Sequence, residues 1–388
     1  MSEHTIKDYY GVSIVQRDIE VLYELEELLG ERLPKVEKIL WNSFGYIVKQ
    51  EQVVELAINN KGMTSLPESL GNLENLVNLH AQNNQLVSLP ESVGSLSNLA
   101  TLNLDCNPVA SLPESLGNLT NLKGLYLGNN QLKILPETIG NLKNLLSLNL
   151  WDNILLSLPE SLGNLTNLQE LLLTNNKITK LPDSIGQLKD LIYLNLRTNQ
   201  LCSLPESIGE LKSLEYLELS NNRLMSLPES IGGMNNLKIL HLRRNELSSL
   251  PENISGLKNL VELYLEGNKL TSLPEGIGGL TNLQELWLGC NFLMSFPETI
   301  GSLINLQILN ASENELRSLP ESLGNLINLQ ELWLGYNHLT ALPKSLENLI
   351  NLQKIYLRGN WIKTLPNYMR SLTNITHLKL DPRQSPSI

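Results

Sequence analysis

Apolar residues along this chain fall into one frame that repeats every 23 positions. Leucine or a close relative stands at Val53, Leu76, Leu99, Leu122 and onward through Leu352 to Ile375, with no insertion or deletion. That makes fourteen complete units and a fifteenth that stops after its first apolar segment. The general form is LxxLxLxxNxLxxLPExIGxLxN. The unit Leu168–Asp190, LQELLLTNNKITKLPDSIGQLKD, departs from it only conservatively. Within each unit LxxLxL alternates apolar and variable positions, the mark of a short strand buried on one face. The Asn that follows, at Asn84, Asn107, Asn130 and on to Asn360, has both donors and acceptors, so stacked amides can satisfy turn backbone groups. Leu-Pro-Glu reads as the start of a short helical turn, with Pro at its first position and an acid at its positive end. Gly117, Gly163 and their equivalents would let the chain turn tightly. No unit can bury its leucines alone, so neighbours must stack. Parallel strands ~4.8 Å apart would extend the stack to ~70 Å, with strands on a concave side and Pro-Glu turns on a convex one.

The ends break the frame. In residues 1–52, Ile14, Val15, Ile19, Leu22, Leu25 and Leu29 suit one face of a helix that Gly30 ends. Pro34 is expected to open a second short helix through Leu40. Tyr46–Val48 is expected to be a strand that turns at Lys49–Gln52 and pairs with Val53–Ile58. This segment reads as a helical and hairpin cap over the first repeat, with a separate docking element as the alternative. Repeats then occupy 53–380, and 381–388 is a polar tail. The last strand presents an open edge that Lys379, His377 and Pro382 would blunt, so the chain is expected to be mostly monomeric, with an end-to-end dimer as the alternative.

Composition narrows the function. The net charge of −11 has a local source: eleven glutamates from Glu68 to Glu321, plus Asp183, follow Pro in twelve repeats. The remaining 28 acids nearly balance 29 Lys and Arg. The ladder fits helix-start chemistry, with a cation or basic-partner surface as the alternative. No clustered basic surface speaks for nucleic acid, and no apolar run approaches the ~18 residues of a membrane span. Met1–Tyr10 lacks a signal-peptide core, and Cys106, Cys202 and Cys290 lie too many repeats apart to pair. The expectation is a cytoplasmic protein. Phosphate-loop, HExxH, CxxC and GxSxG motifs are missing, so no enzyme, metal site or cofactor is expected.

The 23-residue LPExIG form resembles leucine-rich repeat proteins over residues 53–380, and is similar to the Ras-group-related repeats of plants, to Scribble and Erbin, and to microbial proteins, archaeal ones included. The resemblance implies an α/β fold: a right-handed β-α superhelix or horseshoe solenoid, with a parallel concave sheet and short helical turns on the convex side. It also implies signalling by a scaffold that binds a partner protein on the concave face, sometimes a small GTPase.

Candidate binding residues follow from the variable position between the second and third leucines, read as the strand centre. From Tyr264 to Tyr356 four of five such positions are aromatic, although aromatics make up only 5% of the chain. Tyr264, Trp287, Trp333 and Tyr356 therefore form a strip, with Tyr336 just beyond and Tyr126, Trp151, Tyr193 and Tyr216 also facing outward. Solvent-facing rings suit an interface; lateral packing across strands is the alternative. Arg197, Lys238, His241, Arg243 and Arg244 sit near Glu215, Glu218, Glu262 and Glu266. These charges form either a lattice that satisfies itself or a site for an acidic partner, to which Arg197 and Arg244 would be the surplus. A small-molecule or glycan sensor, using the same strip with Asn310, Gln307, Gln330 and Glu331, is the second reading, and a rod that self-associates by its ends is the third.

Overall fold

The computed structural model describes residues 5–40, 42–370, 372 and 374–380, in two compact units, Met1–Leu191 and Ile192–Ile388. The tail 381–388, and with it the expected role of Pro382, lies outside the described residues.

The first unit opens with a feature the hydrophobic pattern did not announce. Strands β1 (Ile6–Tyr9) and β2 (Val12–Val15) pair antiparallel around Tyr10 and Gly11, both at positive φ, a two-residue turn of the twist-compatible kind. Helix α1 (Gln16–Leu29) follows at once and ends at Gly30 (φ 70°), whose N–H donates to the Glu26 carbonyl at 2.9 Å. Ile14 and Val15 therefore belong to β2, not to the helix. α1 buries Ile19, Val21, Leu22 and Leu25. It also buries Asp18, which accepts the Val53 amide at 2.8 Å and whose pKa burial raises. Pro34–Leu40 is not a helix. Its first residues run along β3 (Phe44–Lys49), where the Pro34 carbonyl accepts from Tyr46 at 3.0 Å and the Val36 amide donates back at 2.9 Å. That strand edge needed a backbone partner, and an extended segment supplies one. β3 pairs antiparallel with β4 (Gln52–Ile58) across Gln50 and Glu51, both at positive φ, as expected from the sequence.

From β4 the repeats run on as strands of three residues: β5 to β9 are Asn78–His80, Thr101–Asn103, Gly124–Tyr126, Ser147–Asn149 and Glu170–Leu172. Each pairs in parallel with the next, so that Leu56, Leu79, Leu102, Leu125, Leu148 and Leu171 share one register. In the second unit β10 to β18 are Tyr193–Asn195, Tyr216–Glu218, Ile239–His241, Glu262–Tyr264, Glu285–Trp287, Ile308–Asn310, Glu331–Trp333, Lys354–Tyr356 and His377–Lys379. They pair in parallel in the same register, Leu194 through Leu378. The central residue of each three-residue strand from β5 to β16 is a buried leucine, and that of β17 is the buried Ile355. The position read from the sequence as the centre is the last residue of the strand. Leu378 in β18 is 40% exposed where Ile355 before it is fully buried.

Opposite the strands, each LPE segment enters a short 3-10 turn such as Glu321–Asn325. Pro precedes the turn in extended conformation and does not occupy its first position. Gly117 and Gly163 are not at positive φ, so turning is not what requires them. A Cβ on Gly117 would stand 2.6 Å from that of Thr138, and one on Gly163 would stand 2.5 Å from the Ser184 carbonyl oxygen. Glycine lets one turn press against the next. The acids after Pro bind across the same gap: Glu160 accepts the Ser184 amide at 3.1 Å and Glu321 the Ser345 amide at 2.9 Å, and these contacts with the serines hold both carboxyls below the usual range. The ladder thus caps the neighbouring repeat's turn. No helix among the described residues is long and apolar enough to cross a membrane.

The buried asparagines close the frame. The Asn222 amide donates to the carbonyls of Leu196 (2.9 Å) and Leu219 (3.0 Å), and its oxygen accepts the Leu201 amide at 3.0 Å. Asn222→Ala should lower stability by about 3 kcal/mol in urea denaturation, because it strands several buried backbone groups. Asn221→Gly, at the preceding half-exposed position with φ 58°, should change stability by no more than about 0.5 kcal/mol.

Candidate interaction surface

Parallel pairing without slippage places the variable residues of successive strands side by side on the sheet's solvent face. In the second unit this face carries a ladder of rings. Tyr193 stacks on Tyr216 with centroids 4.4 Å apart, Tyr216 meets His241 at 5.4 Å, His241 stacks on Tyr264 at 4.3 Å, and Tyr264 on Trp287 at 6.1 Å. Tyr193 and Tyr216 begin their strands whereas His241 and Tyr264 end theirs, so the ladder crosses the sheet diagonally. It stops at Asn310 and resumes with Trp333 on Tyr356, 3.8 Å apart. Lateral packing is therefore real, and each ring still stays half-buried rather than covered.

Carboxylates fix the rings in place. Tyr264 donates to Glu262 at 2.7 Å and to Glu285 at 3.2 Å, and its pKa is raised first by burial and then by the Glu262 contact. Trp287 Nε1 donates to Glu285 at 2.9 Å and Trp333 Nε1 to Glu331 at 3.0 Å. Burial alone would raise the Glu331 pKa, but hydrogen bonds from Lys354 (2.6 Å) and Trp333 hold it below the usual carboxylate value.

The basic residues divide into two sets. Lys238 pairs with Glu215 (2.8 Å), His241 Nδ1 faces Glu218 (3.6 Å), and Arg243 pairs with Glu266 (2.9 Å) while lying over the Tyr264 ring at 4.3 Å. Burial keeps the Glu266 pKa raised despite that partner. Arg197 and Arg244 are exposed and have no ion pair within 4.0 Å among the described residues. Trp151 and Tyr126 belong to the first unit, outside the ladder. Each folds over a glycine, Gly128 and Gly124 respectively, whose Cβ would collide with the ring.

Two features escaped the sequence reading. One is the diagonal continuity of the rings. The other is backbone conformation at the second residue after the third leucine, which is left-handed throughout. Asn83, Asn129, Asn175, Asn221 and Gly267 suit it, but Arg244 (φ 52°) and Tyr336 (φ 56°, 54% exposed) hold a conformation that costs bulky residues ~1 kcal/mol. The Asn and Gly in that column were the available signal. Tyr336 leans on the next repeat: a Cβ on Gly359 would stand 2.6 Å from its ring.

The chain belongs to the leucine-rich repeat family: the family's leucine-rich repeat region matches residues 42–149, 137–220 and 207–387. Among solved structures it is similar to a leucine-rich repeat protein of Leptospira interrogans, 35% identical, with 84% of this chain and 95% of that one covered and a TM-score of 0.55. It is also similar to the structure of PEPR1–AtPEP1 (28% identity, 94% and 55% covered, TM-score 0.78). A third similar structure is that of the Toll–Spatzle complex of Drosophila (26%, 82% and 46%, TM-score 0.73). The chain thus spans about half the length of these last two chains. No curated protein matches it.

His241 offers a direct check on the ladder. Burial lowers its pKa below the ordinary 6.5, and Glu218 is the largest opposing influence. Followed by NMR of the ring, His241 should titrate below 6.5, and Glu218→Gln should lower the value further. The sign for stability follows: the unfolded ring binds its proton first, so stability is full above pH 6.5 and falls as pH drops through that value.

Proposed function

We propose that this leucine-rich repeat chain is a non-enzymatic scaffold that binds a partner protein on the strand face of its second unit. Tyr264, Trp287, Trp333, Tyr336 and Tyr356 are the anchors, and Arg197, His241, Arg243 and Arg244 orient the partner at one end. The observation that carries this reading is the ladder itself: stacked, half-buried rings, of which Tyr264, Trp287 and Trp333 are held by carboxylates. Interface hot spots are built from rings and arginines already fixed in their bound positions. The left-handed backbone at Arg244 and Tyr336 supports it, because those side chains are kept where smaller ones would fold more cheaply. Two of the similar structures are those of PEPR1–AtPEP1 and of the Toll–Spatzle complex.

Tyr126 and Trp151 are assigned no part, since each is spent on covering a glycine of the first unit. Cytoplasmic residence and a place in signalling are part of the proposal.

The test compares capture of partner proteins by the wild type and by a Trp287→Ala/Trp333→Ala double variant. Loss of a hot-spot ring typically costs ~2 kcal/mol in binding, so capture should fall more than tenfold while the circular dichroism spectrum and urea midpoint change little. Equal capture by both chains would remove the ladder from the binding surface.

A further inference from the structure

The charge on the strand face changes sign along the second unit. Over β10–β12 and the two outward positions that follow each strand, three arginines (Arg197, Arg243, Arg244) stand against one glutamate, Glu218. Over the equivalent positions of β13–β16 there are five glutamates, Glu262, Glu266, Glu285, Glu313 and Glu331, and no basic residue. Arg243 reaches over to Glu266 and Lys354 to Glu331. Glu262, Glu285 and Glu313 have no basic partner within 4.0 Å among the described residues.

The break in the ring ladder lies inside this acidic stretch. Trp287 and Trp333 flank Asn310 on adjacent strands, so their backbones stand ~9.6 Å apart. A flat group contacting a ring on each side at ~3.5 Å needs ~7 Å between the faces. The floor is low. Asn310 is short and its oxygen accepts the Ser312 amide at 3.0 Å, while the lane beside it holds Gly289, Ser312 and Gly335. A Cβ on Gly289 would come no nearer than 3.5 Å to any other group. Carboxylates line the break: Glu285 beside Trp287, Glu331 beside Trp333, and Glu313, which accepts from the Cys290 thiol at 3.3 Å.

The protein displays what this chemistry receives. The Arg243 guanidinium lies over Tyr264 at 4.3 Å and over Trp287 at 5.9 Å, with its Nε on Glu266. Ring face plus carboxylate holds a planar cation from both sides of its electrostatics. Between Trp287 and Trp333 the same pair of groups recurs, and among the described residues no basic side chain pairs with Glu285 or Glu313. We infer that the partner is a protein segment that places an arginine side chain between Trp287 and Trp333, over Asn310, while its acidic portion lies along Arg197 and Arg244. The inference rests on the strand-face reading above and names the chemistry of what docks there.

The probe is acetyl-arginine amide, titrated into the full chain carrying 15N-labelled tryptophan. Acetyl-citrulline amide at matched ionic strength is the uncharged comparison. The indole signals of Trp287 and Trp333, assigned through Trp287→Phe and Trp333→Phe, should shift and saturate with arginine, and half-saturate at about threefold or higher concentration with citrulline. Glu285→Gln should weaken the arginine response about threefold, and Asn310→Trp, which fills the gap with the residue its neighbouring repeats carry, should abolish it. Equal half-saturation by citrulline, an equal response at Trp151, or a response that survives both substitutions would overturn the inference. If arginine fails while partner capture still depends on Trp287 and Trp333, only the arginine slot falls. If capture is indifferent to those rings, both readings fall.

Discussion

Everything on this chain's surface depends on one constraint: successive 23-residue units must stack without slipping. Buried asparagine enforces that register. Each amide ties its own turn to the carbonyl of the preceding repeat and accepts a backbone amide from it, as Asn291 does with Leu265, Leu288 and Leu270. A slip of one residue would expose the leucines and leave these polar groups stranded together. The opposite side adds a second lock. Asn305, Asn328 and Asn351 each donate to a carbonyl 24 residues earlier, and glycines such as Gly117 permit the turns to touch.

A fixed register turns sequence into surface in a simple way. Residues one unit apart become neighbours on adjacent strands, so a preference that recurs every 23 positions becomes a stripe. Acids after Pro such as Glu68, Glu160, Glu206, Glu229, Glu252 and Glu321 become caps on the next turn. Aromatic residues at the strand ends become a stacked ladder, and a single Asn among them becomes a gap. Charge obeys the same rule, so the arginines beside β10–β12 and the glutamates of β13–β16 form neighbouring fields on the strand face.

Much of this was readable beforehand, and the failures have physical causes. The strands, the asparagine role and the β3–β4 hairpin follow from spacing alone, because periodic burial dominates there. The β1–β2 hairpin was hidden because Ile6-Lys7-Asp8-Tyr9 offers only two apolar residues, and its turn signal is one glycine. Pro34 does not start a helix, as its sequence suggests, because the Tyr46 backbone groups at a strand edge hold the segment extended. The individual anchors Tyr264, Trp287, Trp333 and Tyr356 were legible as a column. Their diagonal link to Tyr193 and Tyr216 was not, since it joins different strand positions and depends on side-chain direction. The pairings Glu218–His241 and Arg243–Glu266 were visible in register, and the fate of Trp151 and Tyr126 was not, because a glycine beneath a ring leaves no periodic trace.

The central claim is that the strand face of the second unit is where a protein partner sits. Site-specific photo-crosslinking inside the native cell tests it most directly, with p-benzoylphenylalanine placed at position 336 on that face or at position 327, where Ile327 is 52% exposed beyond a 3-10 turn. The account predicts a discrete crosslinked protein from position 336 and none from position 327. The same product from both positions, or a product from position 327 alone, would contradict it.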